Sequence, residues 1–94
     1  MASIRNLKKD ISFLIYEVIS DVQLFIYLHP KKNTDKAYSI IEDAAKLYNL
    51  LYARTNHPDG KDNGKLVKEH YKSIRKDLFE QSNELFERTA KLNE

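Results

Sequence analysis

The sequence contains no cysteine and no tryptophan, and it has only two glycines and two prolines among its 94 residues. The lack of cysteine excludes disulfide bonds and thiolate metal sites within the chain, and it leaves the redox compartment unreadable. All the glycines and prolines lie in the gaps between apolar segments. Such sparse punctuation favours a few long helices over many short strands.

A strong excess of one charge is also missing. The formal net charge is +2, and 32% of the residues are charged against 41% that are hydrophobic. This balance is typical of a folded chain rather than a disordered one. The charge is too mild to indicate nucleic-acid binding by itself. From the length we expect one domain with a modest core, covering residues 1–94.

The sequence also lacks a long apolar run without charges. Residues 11–28 are rich in apolar side chains and follow a basic stretch, as in a signal peptide, but no small-residue cleavage site follows them. Glu17 and Asp21 interrupt the segment, and each charge near a bilayer centre would cost about 2.5–3.5 kcal/mol. We therefore expect a helix of a soluble, cytoplasmic protein and no contact with a membrane.

Apolar residues recur at helical spacing in three segments. The first begins after Ser3 and ends near Leu28, the second covers about 35–55 and the third about 65–92. Only short polar connections separate them, and short connections imply antiparallel neighbours. The predicted fold is all-α, a three-helix up-down-up antiparallel bundle.

Caps and apolar stripes predict how each helix is oriented. Asn33 or Thr34 is expected to cap the second helix, and Asp62 or Asn63 the third. The positions predicted to face inward are Ile4, Leu7, Ile11, Leu14, Val18, Phe25 and Leu28, then Ala37, Ile41, Ala44, Tyr48 and Leu51, and finally Val67, Tyr71, Ile74, Leu78, Leu85 and Leu92.

The first helix carries more apolar residues than one inward stripe requires. Phe13, Tyr16, Leu24 and Tyr27 extend its apolar surface beyond what two neighbouring helices would cover. Tyrosine is favoured at protein interfaces, where one end of the side chain is wet and the other buried. We therefore predict a homodimer or another protein partner with these four residues at the contact. The alternative is that the helices wrap closely and a few tyrosines stay partly exposed.

Three features of the chain resemble a known group. The opening MASIRNLKKDI, the long apolar first helix closed by LHP and the charged last helix are similar to small all-helical proteins of Bacteroidetes. The resemblance covers nearly the whole chain. It implies a helical fold and, since that group has no assigned function, it supplies no activity.

A second resemblance lies in RTNHPDGKDNGK, between the second and third helices. His57, Pro58 and Asp59 resemble the tripeptide with which J-domain co-chaperones connect two antiparallel helices. That resemblance implies docking on a chaperone ATPase. However, the paired tyrosines of that family's opening helix have no counterpart, and the basic face of its second helix is here balanced by acidic residues. Because Pro, Asp and Gly are common turn residues, we favour a simple turn.

The same loop and the histidines bear on metal binding. Read as a calcium loop, the segment has Lys61 at its third position and His70 in place of the bidentate Glu at its twelfth, which opposes a cation site. The histidines, at 29, 57 and 70, form neither His-x-x-x-His nor Glu-x-x-His. We predict no metal and no cofactor.

Paired carboxylates are the remaining catalytic candidate. Glu17 and Asp21 lie one helical turn apart and could do acid–base work if burial separated their pKa values. No convergent His, Ser or Gly-rich element accompanies them, so we expect both at the edge of the stripe, paired to a cation of another helix, and no enzymatic activity. Asp21 could also set the register of an oligomer.

Cations follow one side of the third helix. Such a stripe could neutralise phosphates, and weak nucleic-acid binding is therefore kept as an alternative function. The carbonyls at the end of the second helix could accommodate the same charges without a ligand. The stripe consists of Lys65, Lys68, Lys72, Arg75 and Lys76.

Overall fold

Three helices make up the structure, a computed structural model that describes residues 4–56 and 63–93. They are α1 (Ile4–Leu28), α2 (Thr34–Asn56) and α3 (Gly64–Lys91), and no strand occurs in the described residues. Each helix packs against both others, and the Cα atoms form a rod of 52 × 16 × 16 Å. The predicted all-α three-helix bundle is confirmed.

Contacts at the two ends of the rod establish the up-down-up order. At one end the hydroxyls of Ser12 in α1 and Tyr52 in α2 lie 3.0 Å apart. At the other end Asn33, just before α2, donates its side-chain amide to the carbonyl of Leu92 at 2.9 Å, just after α3. The N-terminal part of α1 therefore lies beside the C-terminal part of α2, and α3 ends where α2 begins.

The core is one cluster of aliphatic side chains along the axis of the rod. Buried apolar residues recur along α1 and α2, and along α3 from Ile74 onward, so hydrophobic burial holds the three helices together over that length. The buried apolar residues are Leu7, Ile11, Ile15, Val18, Val22 and Phe25 of α1, Ala37, Ile40, Ala44, Leu47 and Leu51 of α2, and Ile74, Leu78, Leu85 and the following Leu92 on α3's side.

The inward line of α2 differs from the predicted one. Ile40 and Leu47 are in the core, whereas Ile41 and Tyr48 are only half-buried. The reason is that α2 packs against both α1 and α3. The residues that lie between these two neighbours, such as Ile40 and Leu47, are the ones that are fully covered. Ile41 and Tyr48 lie to one side of it, and the Tyr48 ring faces Tyr16 of α1.

Four other predicted core residues are not fully buried, and one of them, Leu14 of α1, is half-buried beside the core cluster. Leu28 is exposed at the end of α1, where it lines an open groove opposite Phe86 and Ala90 of α3. Val67 and Tyr71 are half-buried in the first turns of α3.

The two helix starts behave differently. Asn63 caps α3 as predicted, since its side-chain oxygen accepts from the backbone N–H groups of Lys65 and Leu66 at 3.0 and 3.3 Å. Before α2, the side chain of Asn33 is engaged with α3, and the Thr34 hydroxyl donates to the Pro30 carbonyl at 3.3 Å. Asn33 therefore holds the N-cap position of α2 through its carbonyl, which accepts from the Ala37 N–H at 2.9 Å, while its side chain is used elsewhere. Asn33 has a φ of 49°, a left-handed conformation that asparagine tolerates well.

Candidate interaction surface

The outer face of α1 is apolar. Phe13, Tyr16, Leu24 and Tyr27 are 65, 61, 57 and 82% exposed. The sequence singles out these four residues as a contact, and the structure leaves all of them accessible. Whether they bind a partner stays a prediction.

Helical geometry places the four side chains on one line. With 3.6 residues per turn, they fall within about 40° of a common direction, and Ser20 lies at its middle. The buried line of α1, from Leu7 to Phe25, is on the opposite side. We call Phe13, Tyr16, Ser20, Leu24 and Tyr27 the outer stripe. Thus α1 is apolar on two opposite faces, and a helix of that kind is normally covered on both.

No charged residue lies within the outer stripe. Between Asp10 and His29, α1 has only the charges of Glu17 and Asp21, which flank the stripe on its α3 side. On its α2 side the stripe continues into the rings of Tyr48 and Tyr52. In contrast, the exposed residues of α3 are mostly lysine and glutamate. The charges of the bundle are therefore concentrated away from the outer stripe.

A tyrosine cluster borders the outer stripe. The Tyr48 and Tyr52 rings stack with centroids 4.4 Å apart, and the Tyr16 ring is 6.5 Å from that of Tyr48. The Tyr52 hydroxyl donates to the Lys8 carbonyl at 3.5 Å, which leaves Ser12 as the donor in the bond between Ser12 and Tyr52. The ammonium of Lys8 lies 5.7 Å from the Tyr52 ring centroid, a cation–π contact.

The cluster shifts the pKa values of Tyr48 and Tyr52 in opposite directions. Hydrogen bonding with Tyr52 raises the pKa of Tyr48, and loss of solvent adds to this effect. The Ser12 hydroxyl, followed by Tyr48, lowers the pKa of Tyr52 by stabilising its charged form. The ordinary pKa of both groups is about 10. The same contacts fix the side chains that flank the outer stripe.

An open groove runs along the other flank. It lies between the ends of α1 and α3, has a volume of about 300 Å³, and is lined by Leu24, Leu28 and Phe86 with Asp21 at its margin. Since the groove is continuous with Leu24, it widens the apolar surface of α1 at its C-terminal end.

Hydropathy sets α1 apart from the other described helices. Residues Arg5–Leu28 have the length and mean hydropathy, 1.6, of a helix that can cross a membrane. The core helix of a soluble protein meets the same criterion, and α1 does bury one stripe against α2 and α3. The hydropathy of α1 is thus the sum of two apolar faces, of which the bundle covers one.

The paired carboxylates are solvent-exposed. Glu17 and Asp21 both lie on the surface of α1, and no lysine or arginine of the described residues forms an ion pair with either. The expected pairing to another helix is therefore absent from this part of the chain. The arginines of α3 that face its neighbours, Arg75 and Arg88, pair with other carboxylates instead.

Some cations of the basic stripe of α3 are engaged in ion pairs and others are not. Arg75 pairs with Asp10 of α1, and Lys76 lies 4.0 Å from Glu80 on its own helix. Lys65, Lys68 and Lys72 are exposed, and none has an ion pair within the described residues. The surface offered to phosphates is therefore smaller than the sequence indicates, and nucleic-acid binding stays a prediction.

The two histidines that the structure describes, His29 and His70, do not converge. His29 packs on the Phe25 ring with centroids 5.0 Å apart, and His70 Nε2 donates to the Arg54 carbonyl at the end of α2 at 2.6 Å. Within the described residues no group of three or more potential metal ligands occurs. His57, Pro58 and Asp59 lie outside the described residues, so the co-chaperone resemblance is untested.

Comparison with protein-family models, with curated proteins and with solved structures finds no match for this chain. The resemblance to small Bacteroidetes proteins thus stays a prediction, and function has to be argued from the surface.

Sequence reasoning missed two members of this surface. Ser20 is small and polar and so gives no apolar signal, although its spacing from the four apolar residues marks it as central. Tyr48 continues the helical repeat of α2, and that repeat predicts a core position for it. Its true position depends on the rotation of α2, for which the sequence carries no signal.

Proposed function

We propose that this chain is a non-enzymatic helical interaction module that forms a homodimer through the outer stripe of α1. The observation that carries the proposal is the exposure of four large apolar side chains on one line of one helix. Scattered exposed apolar residues are normal on a monomer, whereas a contiguous patch is typical of a binding surface.

The composition of the patch supports a protein partner. Aromatic residues are enriched and charged residues depleted at the centre of protein interfaces, and the outer stripe has three aromatic rings and no charge. Glu17 and Asp21 flank it, and Lys9 lies at its N-terminal end, where a polar rim is expected. The arrangement therefore resembles the core and rim of an interface rather than a catalytic cleft.

Sedimentation equilibrium of the whole chain tests the proposal. We expect a monomer–dimer equilibrium at micromolar to high micromolar concentration. Leu24→Ser should weaken dimerisation about tenfold or more, because a homodimer loses this apolar contact on both copies and a tenfold change requires only about 1.4 kcal/mol in all.

Leu50→Ser is the matched control. Leu50 is 52% exposed, close to the 57% of Leu24, and it lies in a helix as well. It falls on the side of α2 that faces α3, between Asp43 and Arg54, which both pair with α3. Leu50→Ser should leave the dimer unchanged. A wild-type chain that stays monomeric at high micromolar concentration would contradict the proposed function.

A further inference from the structure

We propose that the two copies pack antiparallel along α1, about a two-fold axis that passes beside Ser20. This inference rests on the proposed self-association and specifies its geometry. The outer stripe is symmetric in spacing: Tyr16 and Leu24 lie four residues on either side of Ser20, and Phe13 and Tyr27 lie seven residues on either side.

Symmetric spacing makes the stripe complementary to its own inverted copy. In a two-fold contact, residue i meets residue j of the other copy and j meets i. Inversion about Ser20 brings Phe13 level with the partner's Tyr27, and Tyr16 level with the partner's Leu24. Each level then holds one aromatic ring with a second large side chain, and the small Ser20 side chains meet at the centre.

Charge opposes the parallel alternative. A parallel pair would bring Arg5 and Lys9, both exposed at the start of α1, next to the same residues of the partner. In the antiparallel pair these cations approach the other end of the partner's α1, whose last turn contains no basic residue and whose free carbonyls carry partial negative charge. Two lysines follow that end: Lys32 is directed to α3, where it donates to the Asn93 carbonyl, whereas Lys31 is exposed. The antiparallel pair therefore brings Lys9 near one lysine of the partner, and the parallel pair would also stack Arg5, Glu17 and Asp21 on their own copies.

The available area fits a reversible dimer. An aromatic side chain buries 150–250 Å² when fully covered, so at the observed exposures the four apolar residues of the outer stripe offer about 500 Å² per copy. Two copies would bury about 1,000 Å², the lower end for a specific interface. We therefore expect a dissociation constant in the micromolar range, with α1 supplying most of the contact.

The absence of cysteine makes the geometry directly testable by cross-linking. Helices packed about 10 Å apart, each with a Cα radius of about 2.3 Å, bring facing Cα atoms to about 5.4 Å, within disulfide range. Ser20→Cys keeps all four apolar residues and should form a covalent dimer on mild oxidation. Leu50→Cys serves as the control for random collisions. Its cross-linking rate should be lower by a factor of about ten or more, because only facing thiols have a millimolar effective concentration.

A second pair of variants tests whether the two α1 helices run antiparallel or parallel. Residues 13 of the two copies would be about 21 Å apart along the antiparallel helices, so Phe13→Cys alone should not cross-link. Mixed with Tyr27→Cys, it should give the heterodimer, which mass spectrometry distinguishes from either homodimer. Each variant is oxidised at a concentration at which sedimentation detects its dimer.

The outcomes separate the two proposals. A wild-type dimer in which Phe13→Cys cross-links to itself, or in which Ser20→Cys reacts no faster than Leu50→Cys, overturns the antiparallel geometry and leaves self-association standing. A wild-type monomer overturns both. If that monomer co-sediments with vesicles of equal parts phosphatidylcholine and phosphatidylserine, the outer stripe is a lipid-binding face instead.

Discussion

Arginine and lysine have different roles at the level of single residues. In the described part of the chain the ion pairs between helices all use arginine, whereas the lysine pairs stay within one helix. Arg54 contacts both Asp77 and the Ser73 hydroxyl, and Arg88 similarly reaches the Ser39 hydroxyl. The planar guanidinium can hold two acceptors at once, which an ammonium on a flexible stem does less well. These pairs fix the rotation of α3 relative to its neighbours.

The tyrosine cluster has a defined pH response at the same scale. Tyr52, with a lowered pKa, favours the folded state only above its unfolded value near pH 10, and this contribution is lost as the pH falls through its folded pKa. Tyr48, with a raised pKa, contributes below pH 10 and loses its contribution as the pH rises through its folded value. Both contributions change around the ordinary tyrosine value near pH 10, so the pair should make stability depend on pH there and little near neutrality.

Ser12→Ala should raise the pKa of Tyr52 towards the ordinary value, because it removes the hydrogen bond that contributes most to stabilising the charged ring. The measurement is tyrosinate absorbance between about pH 8 and 12, the range around the ordinary value. Ser20→Ala, a serine on the same helix outside the cluster, is the control and should leave the curve unchanged. Identical titration of wild type and Ser12→Ala would contradict the assigned role of Ser12.

At the level of elements, α1 differs from its two neighbours. It supplies six buried apolar residues to the core and exposes a second apolar line on its opposite face. The core line stabilises the bundle, whereas the outer stripe gains nothing from the fold of one chain. Helix α3 combines one buried line with a charged outer face, which is the ordinary pattern for a surface helix.

Two adjacent leucines of α2 test this distinction between covered and uncovered faces. Leu51 is 0% exposed, and Leu51→Ala should lower the free energy of unfolding by about 2–5 kcal/mol through lost burial and a cavity. Leu50→Ala should change it by less than about 1 kcal/mol, since an exposed position on a helix surface tolerates alanine. Urea denaturation followed by circular dichroism measures both. Equal losses at the two positions would mean that the rotation of α2 is wrong.

At the level of the whole molecule, the bundle is asymmetric. One long side of the rod carries the outer stripe and the tyrosines that border it, and α3 presents a mixed-charge surface elsewhere. A rod with one uncharged side can bury that side against a second copy and keep its charged surface in water. The asymmetry therefore favours a closed dimer over an open chain of subunits.

The thermal midpoint should consequently depend on protein concentration. A dimer that forms only from folded chains stabilises them by mass action, and each kcal/mol shifts the midpoint by about 4–8 °C for a domain of 60–100 residues. We expect calorimetry to show a rise of several degrees across the micromolar range. Leu24→Ser should show a smaller rise than Leu50→Ser. A midpoint that is constant for the wild type would exclude a dimer that is populated in this range.

The sequence by itself determined the helices and their order. Apolar periodicity, Pro30 after the first helix and the Asn63 cap are local signals, and they predict the bounds of all three helices to within about two residues. The surplus of apolar residues on α1 is also visible in the sequence, because a helix of known length can be divided into faces from its spacing alone.

Only the tertiary structure decided how each helix is rotated. It placed Ile40 rather than Ile41 in the core, left Leu28 uncovered and joined Asn33 to Leu92. The pairing of Arg75 with Asp10 connects residues 65 positions apart, for which no local pattern exists. Rotation depends on fitting the side chains of three helices together at once, so the sequence of one helix cannot specify it.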